Sequence, residues 1–176
     1  ERPLVVAQIV DLSLNQQDVS RDFLVGSRSA WQDLNARGGV RGRTVQHITL
    51  ETNGSPASLQ TAWQTAHRQT GCVALSGCVG NATAAALVAM PPPADSSSAL
   101  ALIAPWLHNA VTDSEAETVF EVFPDHQTQI AHAIKTHASL GVKQIGVVFA
   151  NVQVQQQSQG YVLQVAKSLG LEAQIL

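Results

Sequence analysis

The amino-acid sequence predicts an α/β fold, a Rossmann-like arrangement built on a mostly parallel sheet. Short apolar runs rich in β-branched residues, typical of buried strands, alternate with longer segments whose apolar residues recur at helical spacing. Strands that alternate with helices form right-handed units, and the helices then cover both faces of the sheet. The chain has 176 residues, 45% of them hydrophobic, which is enough to bury a core of this kind.

The N-terminal two-thirds of the chain carries this alternation in regular order. PLVVAQIV, from Pro3 to Val10, is predicted to be a buried strand. The spacing of apolar residues predicts a helix from about residue 19 to 37, and RTVQHITLE is predicted to be the next strand. Ser55 and Pro56 have the residue types of a helix N-cap and a first helical position. The further predicted elements are a strand at Cys72 to Ser76, a helix at NATAAALVAM, a loop at PPPADSSS, and strands near Leu100 to Ala104 and Thr118 to Phe123.

The C-terminal third repeats the pattern. The predicted elements are a helix near residues 126 to 140, a strand at QIGVVFA, a helix ending at Gly170 and a last strand at LEAQIL. NVQVQQQSQ, which follows QIGVVFA, is predicted to be a glutamine-rich loop at the carboxyl end of its strand. Ligands of parallel sheets bind outside the carboxyl ends of the strands, so loops at this edge are the first candidates for a site.

The stretch LNARGGVRGR concentrates three glycines in ten positions and admits two interpretations. A glycine-rich phosphate cradle follows a strand and precedes a helix, so that the amides of the helix face the anion. Here the order is reversed, because the glycines follow a predicted helix and precede a predicted strand. The stretch is therefore predicted to be a turn, with Gly38 ending the helix and Gly42 in a conformation with positive φ.

Charge and hydropathy exclude two classes of function. Charged residues make up only 13% of the chain and the formal net charge is −3, whereas binding to nucleic acid requires clustered Lys and Arg. No apolar run approaches the roughly 20 residues that span a bilayer. We therefore expect neither nucleic acid nor an integral membrane position.

Cysteine and histidine spacing argues against a disulfide and a metal site. Cys72 and Cys78 lie at opposite ends of one predicted strand, about 20 Å apart, which is too far for a bond between them. His126, His132 and His137 lack the i, i+4 spacing of a helical zinc site. We expect two thiols, no metal and no cofactor.

Several segments in the same order resemble the type I periplasmic substrate-binding proteins, of the leucine/isoleucine/valine-binding class, that serve ABC importers. The segments that carry the resemblance are VAQIVDLSL, DLNARGGVRGRTVQHITLE, SPASLQTAWQTA, ALSGCVGNATAAAL, LIAPWLHNA and VFEVFPDHQTQIAHAIKTHASLGVKQIGVVFA. The resemblance implies two α/β lobes that close over a ligand. Residues 1 to 121 correspond to the first lobe, and residues 122 to 176 to the beginning of the second. Family members are roughly twice this length, so the chain is either a fragment or an abbreviated relative.

The resemblance also implies where the ligand binds and where the protein works. The contacts of the first lobe come from the loops matching GCVGNAT and APWLHN. The expected ligand-binding residues are Gly80, Asn81, Thr83, Trp106, Leu107 and His108. Asn81 could instead be a plain N-cap and Trp106 a lid over the core. The implied protein is a non-catalytic periplasmic one, its signal peptide removed, which captures an amino acid or related carboxylate for a membrane permease.

The sequence departs from the family pattern at two positions, and two other functions are considered beside the one that the resemblance implies. Many relatives carry a cysteine near LETNGSP to pair with the one matching Cys78, but Gly54 stands there. The aromatic that follows the second-lobe strand is matched only by Val154. The same fold also serves as the ligand-sensing domain of receptors or regulators. An enzyme is disfavoured because there is no G-x-S-x-G motif. Asp11 and Asp125 lie at the ends of predicted strands, where they could serve in catalysis, but capping of a loop explains them equally well.

Overall fold

The computed structural model describes residues 2–94, 100–109, 111–112 and 117–176. The second half of the predicted loop PPPADSSS lies outside these ranges. The chain divides into two compact units, unit 1 (Glu1–Phe123) and unit 2 (Pro124–Leu176). Among the residues described, no helix combines the length and the apolar character needed to cross a membrane.

Unit 1 is a five-stranded sheet in the order β2-β1-β3-β4-β5, and every pair of neighbouring strands is parallel. Its elements are β1 (Leu4–Asp11), α1 (Gln17–Ala36), β2 (Val45–Thr52), α2 (Pro56–Arg68), β3 (Cys72–Ser76), α3 (Asn81–Ala89), β4 (Ala101–Ile103) and β5 (Val119–Phe120). The α/β class and the parallel sheet are thus confirmed. The strand predicted near Thr118 to Phe123 is shorter than expected, since only two of its residues pair with β4.

The two faces of β1 are covered by different helices. Ala7 and Ile9 belong to a buried cluster that includes Trp63 of α2 and Leu87 of α3. On the opposite face, the side chain of Gln8 is almost completely buried and hydrogen-bonds His47 at 3.0 Å. The ring of His47 in turn stacks on Trp31 of α1. Alternation along β1 therefore separates an apolar core from a polar contact beneath α1.

The glycine-rich stretch after α1 is a turn, as the order of elements predicts. Gly38 has a φ of 101°, and Arg41 and Gly42 have φ of 51° and 79°. Positive φ at two consecutive central residues is the conformation of a type I′ turn, and Val40 and Arg43 form an antiparallel bridge across it. A Cβ on Gly39 would lie 2.0 Å from the carbonyl oxygen of Arg43, so this position admits only glycine.

Asn35 attaches the end of α1 to the start of β2. Its side-chain amide donates to the carbonyl oxygen of Val45 at 2.8 Å, and its side-chain oxygen accepts from the Val45 amide at 2.7 Å. The side chain thus pairs with the strand as a neighbouring peptide group would. This contact fixes where β2 begins.

Unit 2 contains α4 (His126–Ser139), β6 (Gln144–Val147), α5 (Val152–Ser168) and β7 (Glu172–Ile175). β6 and β7 form a parallel pair, and the buried cluster beneath the two helices consists of Ile134, Val162, Ala166 and Leu171. The prediction that NVQVQQQSQ is a loop is wrong, because α5 begins within it. Asn151 caps the helix by accepting from the amide of Val154 at 2.9 Å. Glutamine is a good helix former, so the segment folds as a helix once it is capped.

Candidate functional site

Two loops at the carboxyl edge of the unit 1 sheet are joined by hydrogen bonds. One follows β3 (residues 77–80) and the other follows β4 (residues 104–109). β3 and β4 are parallel neighbours, which places the two loops side by side. The amide of Trp106 donates to the carbonyl of Cys78 at 3.0 Å, and the amide of His108 donates to Asn81 Oδ1 at 2.8 Å. The structure therefore brings together Gly80, Asn81, Trp106 and His108.

The N-cap of α3 is Gly80, and Asn81 is the first helical residue. The interpretation of Asn81 as the N-cap is therefore wrong. Gly80 has a φ of 104°, a conformation that glycine adopts without strain, while Asn81 uses its side-chain oxygen to hold the second loop. Since Gly80 has no side chain, the N-cap residue offers no acceptor to the first-turn amides of α3.

The start of α3 opens into a pocket of about 310 Å³, near the lower limit for sites that bind small molecules. The residues that line it are Gln16, Val19, Val79, Gly80, Asn81, Ala82, Trp106 and His108. Trp106 is 41% exposed, and its ring stacks on Phe123 with 5.7 Å between ring centres. Trp106 is thus a wall of the pocket rather than a lid over the core.

Two of the expected site residues have other contacts. Thr83 is buried, and its hydroxyl donates to Asp11 Oδ2 at 2.6 Å. Leu107 packs in the core of unit 1, and its amide donates to the carbonyl of Pro105 at 3.0 Å. Neither is among the described residues that line the Trp106 pocket. Thr83 thus holds the Asp11 carboxylate, and Leu107 anchors the loop that carries Trp106.

Sequence reasoning missed the other four residues that line the pocket: Gln16, just before α1, Val19 in its first turn, Val79 and Ala82. A Cβ on Gly80 would lie 3.1 Å from the side-chain oxygen of Gln16, so Gln16 packs against the start of α3. The sequence held one signal for this contact. The segment DLSLNQQD follows β1, and loops at the carboxyl ends of parallel strands meet at one edge.

Two titratable groups near this pocket, Asp11 and Cys78, have pKa values that differ from their ordinary ones. Burial raises the pKa of Asp11, but hydrogen bonds from Thr83 and Ser13 outweigh that effect and hold the pKa below its ordinary value of 3.8. Burial, reinforced by the charge of Asp11, raises the pKa of the Cys78 thiol to about 12. In the part of the chain that the structure describes, no three His, Cys, Asp or Glu side chains converge as metal ligands would.

Comparison with known proteins gives a consistent result over almost the whole chain. Residues 3–176 match a family model described as periplasmic binding protein. Among curated sequences, none matches the chain significantly. The family resemblance noted in the sequence is confirmed.

Solved structures share the fold. A substrate-binding periplasmic protein from Ralstonia solanacearum is 24% identical with a TM-score of 0.73, and the match covers 98% of this chain and 48% of that protein. A leucine-binding protein from Thermotoga maritima is 17% identical with a TM-score of 0.66, and the match covers 98% of this chain and 48% of that protein. A branched-chain amino acid transporter substrate-binding protein from Streptococcus pneumoniae, in complex with isoleucine, is 14% identical with a TM-score of 0.66. This match covers 98% of this chain and 48% of that protein. The chain spans about half the length of these structures.

Proposed function

We propose that this chain, which belongs to the periplasmic binding protein family, captures a small polar solute at the carboxyl edge of unit 1. The solute class is an amino acid or a related carboxylate. The observation that supports this proposal is the start of α3, which opens into the Trp106 pocket with no side-chain cap from Gly80.

An uncapped helix start favours a carboxylate for electrostatic reasons. The first amides of a helix lack partners within the helix, and the helix dipole places partial positive charge there. Asn81 and Ala82 line the pocket at this point. A ligand carboxylate can therefore accept hydrogen bonds from backbone amides without an arginine or lysine.

Trp106 and the two valines of the pocket suit the apolar part of such a ligand. Val19 and Val79 line the same pocket as the indole ring. An aromatic ring contributes a large contact area to binding. Leucine and isoleucine, which have apolar side chains, are named in the descriptions of two of the solved relatives.

In this proposal the protein is a non-catalytic receptor that works outside the cytoplasm and delivers its ligand to an ABC permease. The ligand shifts the protein between conformations by binding one of them more tightly than the other. A ligand can shift such an equilibrium only by its difference in affinity for the two conformations. The family match supports this role.

Titration followed by the amide NMR spectrum tests the proposal, because it detects weak binding. L-leucine, L-isoleucine and 4-methylpentanoate are the probes. We expect saturable shifts at Gly80, Asn81 and Ala82 and at the indole N–H of Trp106. Trp106→Ala should weaken binding by about tenfold, because it removes an aromatic wall.

The matched control is Phe120→Ala, which removes an exposed aromatic ring of β5 that is not among the described residues lining the pocket. Its affinity should equal that of the wild type. If the amino acids and small carboxylates leave the amides at the start of α3 unmoved, the proposal is wrong.

A further inference from the structure

The loop that carries Trp106 begins with a strained residue. Among the residues described, Ala104 is one of two other than glycine with a positive φ, which is 56°. A left-handed backbone costs an alanine about a factor of ten in population, and the proline that follows favours an extended conformation instead. Strain of this kind persists only where surrounding contacts impose it, and it is concentrated at functional sites.

The contacts that impose this conformation are on the backbone and in the core. The amide of Ala104 donates to the carbonyl of Phe120 at 2.8 Å, and the amide of Trp106 donates to the loop after β3. Pro105 and Leu107, on either side of Trp106, are both buried. The backbone of the loop is therefore fixed, while the exposed indole of Trp106 projects from it.

The ring of Phe123 holds this indole. The two rings stack with an interplanar angle of 28°, and an aromatic pair favours its arrangement by about two- to tenfold. Phe123 is half-exposed and is not among the described residues that line the Trp106 pocket. It is also the last residue of unit 1. Phe123 therefore affects the pocket through its contact with Trp106.

We propose that Ala104 and Phe123 are positioning residues of the Trp106 pocket. The left-handed backbone of Ala104 directs the loop, and the ring of Phe123 keeps the indole in the orientation that makes it a wall. A ligand then meets a wall that is already ordered, which lowers the cost of binding. The inference rests on the proposed function for the role of the pocket, but the mobility of the indole is measured without a ligand.

NMR relaxation of the indole N–H groups tests the inference in the ligand-free chain. For Trp106 we expect an order parameter of about 0.85 in the wild type, as in a rigid backbone, and below about 0.6 in Phe123→Ala. Phe123→Tyr keeps an aromatic ring and should restore the wild-type value. The indole of Trp63 is the internal control, because it is buried and donates to the carbonyl of Pro91 at 3.1 Å. It should stay rigid in every variant.

Ala104→Gly separates positioning from a structural role. Glycine adopts a left-handed backbone without strain, so the midpoint of urea unfolding should not fall. The order parameter of the Trp106 indole should fall nevertheless, because the loop gains other conformations. A residue that only stabilised the fold would not combine these two results. Phe120→Ala removes an exposed ring but keeps the carbonyl that accepts from Ala104, and it should leave the Trp106 order parameter unchanged.

The inference is overturned if the Trp106 order parameter stays at its wild-type value in Phe123→Ala or in Ala104→Gly. If Phe123→Ala does not fold, Ala104→Gly decides. A fall in Phe123→Ala that Phe123→Tyr does not reverse would overturn it as well, because the ring would not be the cause.

Titration with L-leucine separates this inference from the proposed function. Phe123→Ala should weaken leucine binding by about two- to tenfold. If leucine binds the wild type and Phe123→Ala equally, the inference is overturned and the proposed function stands. If leucine does not bind the wild type, that result counts against the proposed function, and the mobility of the Trp106 indole still decides the positioning roles.

Discussion

At the scale of single residues, Asp11 combines burial with ionisation. Its hydrogen bonds with Ser13 and Thr83 more than offset the cost of removing a carboxylate from water. The contact with Thr83 links the end of β1 to the first turns of α3, 72 residues apart in the chain. One carboxylate therefore joins the end of β1 to the start of α3.

The pH dependence of stability should reveal this contact. The pKa of folded Asp11 lies below its ordinary value of 3.8, so its contribution is present above that value and is lost as the pH falls through the folded pKa. At pH 7 we expect Asp11→Asn to lower the free energy of unfolding by about 1–3 kcal/mol, and the difference from the wild type should shrink below pH 4. Urea denaturation at several pH values measures both quantities.

Asp33→Asn is the control, because Asp33 pairs with Arg37 on the exposed side of α1. An exposed pair contributes little, so this variant should lie within about 1 kcal/mol of the wild type. A difference between Asp11→Asn and the wild type that stays constant down to the acid limit would contradict the prediction.

The sequence identified four residues of the Trp106 pocket and missed others for a physical reason. The family resemblance points to the two segments that carry Gly80, Asn81, Trp106 and His108. Gln16 joins them only through its packing on Gly80, a contact between segments 64 positions apart that no local pattern contains. The inward position of Thr83 likewise depends on Asp11.

At the scale of elements, glycine has opposite roles inside α1 and just after it. Gly26 lies in the helix, and a Cβ there would meet nothing within 4 Å. Gly39 lies in the turn with a φ of 71°, and a Cβ there would overlap the backbone of Arg43. The same residue type thus weakens the helix and permits the turn.

A pair of alanine substitutions tests this difference. Gly26→Ala should raise the free energy of unfolding by about 0.5–1 kcal/mol, because alanine loses less conformational freedom in a helix. Gly39→Ala should lower it by more than about 1–2 kcal/mol, the cost of a left-handed residue before the overlap is counted. Thermal and urea denaturation of both variants supply the values, and effects of the same sign would contradict the interpretation.

Element positions were predictable where a pattern was periodic, and less so where capping decided the outcome. Cys72–Ser76 was predicted with its observed bounds. NVQVQQQSQ was misassigned because its polar composition resembles a loop, whereas Asn151 and the helix-forming glutamines make it the start of α5. The apolar residues between positions 118 and 123 predicted a strand of about six residues, whereas only Val119 and Phe120 pair with β4.

At the scale of the whole molecule, the two units differ in how well their strands are buried. β1 lies in the interior of a five-stranded sheet and is buried along most of its length. Of the described residues 144–147 and 172–175, which form β6 and β7, none is fully buried. The fold class was predictable because the alternation of strands and helices runs through the chain, but this unequal burial depends on tertiary packing.

Amide hydrogen exchange should separate the two units. We expect the amides of β1 to be protected longest and those of β6 and β7 to exchange first, because local stability follows burial. Mass spectrometry of peptic fragments measures the order. Equal protection of β1 and β6 would contradict this prediction.

The state of the two thiols makes the chain a convenient carrier for a fluorescent reporter. Thiolate rather than thiol reacts with maleimide dyes, and burial raises the pKa of both Cys72 and Cys78. At neutral pH both native cysteines stay protonated and slow to react. A cysteine introduced at the half-exposed Val19, on the rim of the Trp106 pocket, can therefore be labelled selectively and used to report occupancy by its emission.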